Sequence, residues 1–338
     1  MQTLGFFQKA SLTLITLNLA LAGGNAVAGS FSNSTFDPGK IDAGIPGFVG
    51  SDGLGVVSPN NTVNPIFRSW ATGFTNYRPT PGVLERWQTP EKTLGEVTGA
   101  FDSIASLGEL TAEQIAAGVS PGEITLTFAS SVRNGTGADF AVFENGFGFA
   151  SDGSLFGELA YVEVSTDGIN FARFPSTSLT PEPVAPFGRL DATNVYNLAG
   201  KHINNGIVVS EEEFIQSSWG TPFDLETLVD LPTVIAGQVD INKINFVRIV
   251  DIPGNGAFLD TAGRPIYDPW QTPIPGSGGF DLEAIGVINA ATVPEPVSVF
   301  GILLLGIFGV SLRIGHRSNK CRKKILQIGN KISSPLTS

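Results

Sequence analysis

Asp251, Asp260, Asp268, Asp281 and Glu283 fall within 33 residues of one another, separated by Gly- and Pro-rich turns such as Ile252-Pro253-Gly254-Asn255-Gly256. Carboxylates, amide side chains and backbone carbonyls on loops are the ligand chemistry of calcium, a hard cation that takes about six to eight oxygens. Asp281 and Glu283 alternate with Phe280 and Leu282, so a strand there is expected to place both carboxylates on one face, about 7 Å apart. Glu144 and Asn145, at the end of another alternating run, are further candidate ligands. No D-x-D-x-D-G run of the EF-hand type is present, and the same aspartates would also suit Asx-turns in Gly-rich loops. Calcium is the cofactor these residues point to.

Other chemistries are constrained by what the chain contains. Between its two ends there is one histidine, His202, so a zinc site of the H-E-x-x-H type is excluded and a Ser-His-Asp triad would have to use that residue. No G-x-S-x-G elbow occurs, and the single cysteine, Cys321, sits in a basic tail, which excludes an intramolecular disulfide. The reading is therefore non-enzymatic. A polysaccharide-acting hydrolase using paired carboxylates is the alternative, because separation in space and not in sequence decides it. Trp70, Trp87, Trp219 and Trp270, with Tyr77 and Tyr267, are candidate platforms for stacking a glycan, although large aromatics serve cores as often.

All 31 acids lie between Asp37 and Glu295, against 12 of the 20 Lys+Arg, a balance of −19 over that span. Such a surface repels nucleic acid and anionic membranes and attracts multivalent cations. With Gly 41, Pro 22 and 15% charged residues, the composition suits turn-rich β structure, since helix interiors exclude Gly and Pro.

The elements that must carry these side chains are mostly strands. Asp139–Phe143 and Tyr161–Ser165 alternate, and Thr166-Asp167-Gly168 supplies a tight turn into a return strand from Ile169. Glu123–Phe128, Asn245–Asp251 and Phe280–Ile288 alternate likewise. Thr111-Ala112-Glu113-Gln114 predicts a short capped helix closed by Gly118. Ser210-Glu211-Glu212-Glu213 predicts a second, and Thr221-Pro222-Phe223-Asp224 a third with Pro at its first position. Trp70 to Leu94, with spaced aromatics among prolines, reads as irregular chain over a sheet edge. The expectation is an all-β fold, an antiparallel β-sandwich of jelly-roll type with a few short capped helices.

The two ends read as addresses. Residues 1–28 form an expected signal peptide, with an uncharged run from Ala10 and Ala26-Val27-Ala28 as its cleavage site. Residues 29–66 read as an irregular lead-in segment packed on the domain and 67–290 as the β-sandwich domain. Val293-Pro294-Glu295-Pro296, within a 291–296 motif, leads into sixteen uncharged residues, 297–312, expected as a single transmembrane sorting helix. Arg313, Arg317, Lys320, Arg322, Lys323 and Lys324 then open a basic tail, 313–338, whose charge predicts a cytoplasmic location and leaves the acidic domain outside.

This order of Pro-Glu-Pro, apolar helix and basic cluster resembles the PEP-CTERM sorting signal. The resemblance implies processing by an exosortase-like membrane peptidase and delivery to the cell surface or the exopolysaccharide matrix. Here the chain runs on from Ile325 to Ser338, beyond where such signals usually stop. Gly137-Ala138-Asp139-Phe140, Phe143-Glu144-Asn145-Gly146, Trp219–Leu225 and Ser277–Ile285 also resemble a group of exported bacterial surface proteins that share the signal, a likeness that implies architecture and location and brings no activity. The expected protein is a calcium-stabilised, exported surface or matrix component that associates with extracellular polysaccharide; a self-associating structural layer protein is the third reading.

Overall fold

The computed structural model describes residues 30–272 and 278–291. The expected signal peptide, the Pro-Glu-Pro motif from Val293, the sorting helix and the basic tail lie outside the described residues. Among those described, no helix is long and apolar enough to cross a membrane.

The described chain is all-β. Its strands are β1 (Ile45–Pro46), β2 (Phe48–Gly50), β3 (Asn61–Val63), β4 (Ser69–Arg78), β5 (Ala105–Ser106), β6 (Glu123–Val132), β7 (Phe140–Glu144), β8 (Phe147–Phe149), β9 (Leu155–Phe156) and β10 (Ala160–Ser165). They continue with β11 (Phe171–Arg173), β12 (Thr177–Ser178), β13 (Val195–Tyr196), β14 (Gly206–Val208), β15 (Phe214–Ile215), β16 (Trp219–Phe223), β17 (Ile244–Asp251), β18 (Asn255–Leu259), β19 (Pro265–Tyr267) and β20 (Asp281–Val287). Two short helices, α1 (Ala112–Ala116) and α2 (Pro232–Ile235), and a few 3-10 turns complete the inventory. One curled antiparallel sheet dominates, in the order β1-β16-β7-β20-β4-β6-β17-β10-β11, with β5 paired to the start of β20. The last strand of the described residues, β20, thus lies between two much earlier ones.

Burial explains the sheet's centre. Every residue of β7 and β20 is buried. On one face Phe140, Val142, Leu282, Ile285 and Val287 join Ile124, Val162, Val164 and Ile249 in the largest core cluster. On the other, Ala141, Phe143 and Ala284 pack with Phe67, Trp70 and Val97. Strands covered on both faces read as nearly continuous apolar runs. The curl shows in three rings: Phe174, just past β11, meets Phe140 of β7 at 5.8 Å and Phe223 of β16 at 4.9 Å.

Several expectations need correction. Ser69–Arg78 is a ten-residue strand near the middle of the sheet, not irregular edge chain. Its alternation is broken by register shifts around Gly73 and before Arg78, and Asn76 adopts φ 50°. Ser210 caps a turn and not a helix: its Oγ accepts from the Glu212 and Glu213 N–H groups, and the chain enters β15. Thr221-Pro222-Phe223 is strand, paired with β7, and Pro222 is tolerated where β1 no longer pairs. The capped turn comes one residue later, where Asp224 accepts from Glu226 N at 2.9 Å. The capping box at Thr111 and Gln114 forms as expected. So does the β10–β11 hairpin, with Gly168 at φ 76° and Asp167 Oδ1 accepting from Ile169 N and Asn170 N.

Buried polar contacts pin the lead-in. Asp42 pairs with Lys201, both buried, while Ser32 N donates to Asp42 Oδ1 at 3.0 Å and His202 Nε2 lies 2.9 Å from the Asp42 carbonyl oxygen. Lys201 Nζ also donates to the Val195 carbonyl at 2.7 Å.

Candidate cation site

Antiparallel pairing puts the end of one strand beside the start of the next. Glu144 ends β7, Glu158 stands just before β10, Asp251 ends β17 and Asp281 opens β20, so all four acids lie at the same end of the large sheet. Asp268, just past β19, and Glu109, in the loop between β5 and α1, join them there. Five of these six acids are buried, Glu144 and Asp251 completely, and Glu109 is half-buried.

Backbone N–H groups hold most of them in place. Gly279 N donates to Glu158 Oε1 at 2.9 Å, Phe280 N to Asp251 Oδ1 at 2.8 Å, and Leu159 N to Asp268 Oδ2 at 2.8 Å. Gln271 N donates to both oxygens of Glu109. What remains is unusual for a protein interior. Both oxygens of Glu144, Asp251 Oδ2 and Asp281 Oδ1 are buried without a hydrogen-bond partner, and the amide of neighbouring Asn205 is likewise unpartnered. Among the described residues no Lys, Arg or His pairs with any of the six.

Burial, then mutual repulsion, drives these carboxyls upward. Glu144 is pushed well above the ordinary carboxylate range by burial first and then by Asp281; the nearby Glu158 amide acts in the opposite sense without making a good hydrogen bond. Glu158 is raised by burial and then by Asp281, Glu144, Glu109 and Asp268. Asp251 and Asp268 are also raised well above their range, by burial first and then by nearby acids, Glu109 and Asp281 for Asp251, Asp251 and Glu109 for Asp268. Burial lifts Asp281 and Glu109 to about 7. Protonation alone does not satisfy Glu144, because a neutral carboxyl is a donor that needs an acceptor.

Backbone oxygens approach Glu144 where glycines leave room for them. A Cβ at Gly146 would lie 2.8 Å from Glu144 Oε2 and 2.9 Å from the Phe156 carbonyl oxygen; one at Gly157 would lie 2.3 Å from Leu155 Cδ1, 2.8 Å from the Gly200 carbonyl oxygen and 3.6 Å from Glu144 Oε2. The two glycines therefore border one carboxylate, two carbonyls and one apolar methyl. Among the described residues no three His, Cys, Asp or Glu side chains form a closed metal-holding group. A cation here would draw on carbonyls and water as much as on carboxylates, as calcium does and zinc does not.

Of the seven expected ligands, Glu144, Asp251, Asp268 and Asp281 come together. Asn145 stands at the rim, its N–H donating to the Asp281 carbonyl at 3.1 Å and its amide to Phe101 O at 3.2 Å. Asp260 is elsewhere: it accepts from Ser178 N, Ala262 N, Arg264 N and Arg264 Nε, and although burial acts upward, these donors hold its carboxyl below the usual range. Glu283 does not flank an ion with Asp281. Leu282 pairs with Glu144 and Ala284 with Phe143, so Glu283 is the extra residue of a β-bulge. Its Oε1 accepts from Thr98 N, Thr98 Oγ1 and Gly99 N at 2.7, 2.6 and 2.9 Å, and its Oε2 from Asn204 Nδ2.

Glu109 and Glu158 were not among the expected ligands. The position of Glu158 at the start of an alternating strand, opposite in direction to that ending at Glu144, carries the signal; Glu109 arrives on a loop and carries none.

The other candidates resolve as follows. Trp70 and Trp219 are core, the first against Phe67 and Phe143, the second donating to Ser217 Oγ at 2.7 Å and stacked on Phe36. Trp87 is half-buried with Arg86 and Lys92 over its ring, and Trp270 donates to the Leu110 carbonyl at 3.1 Å. His202 touches Ser32 Oγ at 3.2 Å, but both are buried, Nδ1 has no partner, and burial, then Lys201, lowers the imidazole to about 3. No third group orients the ring for general-base work.

Packing around the acids is tight enough to predict a substitution. A Cβ at Gly254 would fall 1.8 Å from Asp268 Oδ1 and 2.6 Å from Asp268 N. Gly254→Ala is expected to cost about 1–3 kcal/mol, read as a lowered urea midpoint, by displacing Asp268 from Leu159 N. An unchanged midpoint would contradict the placement of Asp268.

Comparison with known proteins finds no matching family model and no matching curated protein.

Proposed function

We propose that the chain is a non-enzymatic, exported cell-surface or extracellular-matrix protein whose β domain is stabilised by calcium held at the acid-lined end of its large sheet. One observation carries the reading: Glu144, completely buried and with both oxygens unpartnered, lies near the Phe156 and Gly200 carbonyls and among acids that no cationic side chain of the described residues neutralises. Buried charges of one sign need a counter-charge, and a divalent ion supplies it most compactly.

The location rests on the sequence addresses. An exosortase-like membrane peptidase would act at the signal that begins at Val293, with the acidic domain outside and the sorting helix in the membrane. There the domain associates with exopolysaccharide. The curled sheet is read as a jelly-roll-like sandwich, which the meeting of Phe174 with Phe140 and Phe223 supports. A polysaccharide hydrolase would need at least two acids open to a sugar, and five of the six gathered here are buried.

The test is thermal unfolding of the full chain, in detergent, with calcium and with chelator. Calcium at 100 times its dissociation constant stabilises by about 2.7 kcal/mol, which for a domain of this size raises the midpoint by roughly 5–10 °C. An unchanged midpoint at millimolar calcium would refute the cation site.

A further inference from the structure

Five phenylalanines stand in file, Phe101 and Phe214 exposed and Phe147, Phe156 and Phe187 half-buried. The small sheet β15-β14-β8-β9 carries Phe214, Phe147 and Phe156 on three of its four strands. Ring centroids run 6.2 Å from Phe214 to Phe147, 6.4 Å from Phe147 to Phe156 and 6.2 Å from Phe156 to Phe187. Phe101, from a loop, closes one end at 5.6 Å from Phe147 and 6.0 Å from Phe214. On β14, which lies between β15 and β8, the place of a ring is taken by Gly206, whose Cβ would fall 2.4 Å from Phe214 Cζ. A glycine there lets the Phe214 ring lie down against the sheet.

Exposure is greatest at the Phe101 and Phe214 end, 44% and 39%. That end is also acidic. Asp102 follows Phe101, Glu211-Glu212-Glu213 precede Phe214, and all four acids are exposed. Among the described residues none of them is in a salt bridge, and Lys92 reaches the Asp102 carbonyl and not its carboxylate. At the other end Arg189 is engaged by Asp152 and by the Phe149 ring.

We infer that this file of rings is a docking face for a polysaccharide that carries amino groups. Neighbouring rings stand 5.6–6.4 Å apart, and four of the five pairs are inclined by only 24°, 31°, 36° and 27°, so the rings make one continuous apolar strip along the small sheet. A pyranose presents a flat C–H face that packs on such rings, and consecutive sugars would continue along the file. Ammonium groups on the sugars would meet Glu211, Glu212, Glu213 and Asp102, whereas an anionic polymer or an anionic lipid surface would be repelled. The inference rests on the exported reading for its partner, but not on the cation site.

The experiment is calorimetric titration of the full chain with a glucosamine hexamer, beside an N-acetylglucosamine hexamer, an oligogalacturonate and a basic amphipathic peptide, each in calcium and in chelator. The glucosamine hexamer is expected to bind most tightly. Phe214→Ala should weaken it about tenfold, with an unchanged melting midpoint. The triple variant Glu211→Gln, Glu212→Gln, Glu213→Gln should remove the preference over the N-acetylated sugar. No saturable binding of the glucosamine hexamer, equal binding by Phe214→Ala, or binding of the basic peptide alone would overturn the inference. Sugar binding retained while calcium fails to raise the midpoint would remove the cation site and leave this face standing.

Discussion

In chelator, the domain is expected to lose stability as the pH rises from about 4 to about 8, and calcium is expected to abolish that loss. Asp281 and Glu109 are raised by burial from 3.8 and 4.5 to about 7. A carboxyl whose folded-state pKa lies above its unfolded value favours folding fully below the unfolded pKa, and that contribution disappears as the pH climbs through the folded one. Three pH units for Asp281 alone correspond to about 4 kcal/mol, and Glu144, Glu158, Asp251 and Asp268 act in the same direction. Protons compete with calcium at pH 4, so the stabilisation by calcium should be small there and largest near pH 8. Urea midpoints across that range, with and without calcium, check both halves. Glu144→Gln removes one buried charge and keeps the shape; it should raise the midpoint in chelator at pH 8 and reduce the response to calcium. A midpoint in chelator that stays flat with pH would show that burial does not raise these carboxyls and would overturn the prediction.

Asp42→Ala is expected to cost about 3–5 kcal/mol, because it leaves the Lys201 ammonium buried with no paired carboxylate, only the Val195 carbonyl at 2.7 Å and the Phe31 ring at 5.7 Å being left beside it among the described residues. Burial lowers Lys201 to about 8 even with Asp42 beside it, while Asp42, which burial would raise, is held below its ordinary value by Lys201. The two charges therefore depend on each other. Lys201→Met combined with Asp42→Ala should recover part of the loss, since an apolar side chain of similar length needs no counter-charge. A double-mutant cycle in urea reads the coupling directly. A single-variant loss below about 1 kcal/mol would mean that the lead-in segment is not locked by this pair.

Much of the fold was legible where local chemistry and tertiary packing agree. Thr111 with Gln114, and Ser165 and Asp167 around Gly168, satisfy backbone groups within a few residues, so short-range patterns suffice. β4 was hidden because Gly73 and Asn76 interrupt its alternation, and its strand character comes from β6 and β20 on either side. Ser210 shows the limit of capping signals: the same Oγ bonds that open a helix also close a turn. For the site, acids at strand ends could be read, since antiparallel order brings Glu144, Asp251 and Asp281 together. Glu283 could not, because one inserted residue in β20 moves Phe280 and Leu282 out of phase with Ile285 and Val287, and the alternation that paired it with Asp281 stops there.

The position of β20 has a consequence for the order in which the fold can close. It is the last strand among the described residues, yet it pairs with β7 on one side and β4 on the other. Until Asp281–Val287 has emerged, β7 and β4 each present an open edge, and the sheet exists only as two halves. Among the described residues the centre of the fold is thus the part that is synthesised last. The same arrangement makes truncation before β20 hazardous: it would leave two buried-type edges exposed, which is a template for joining copies of the chain edge to edge.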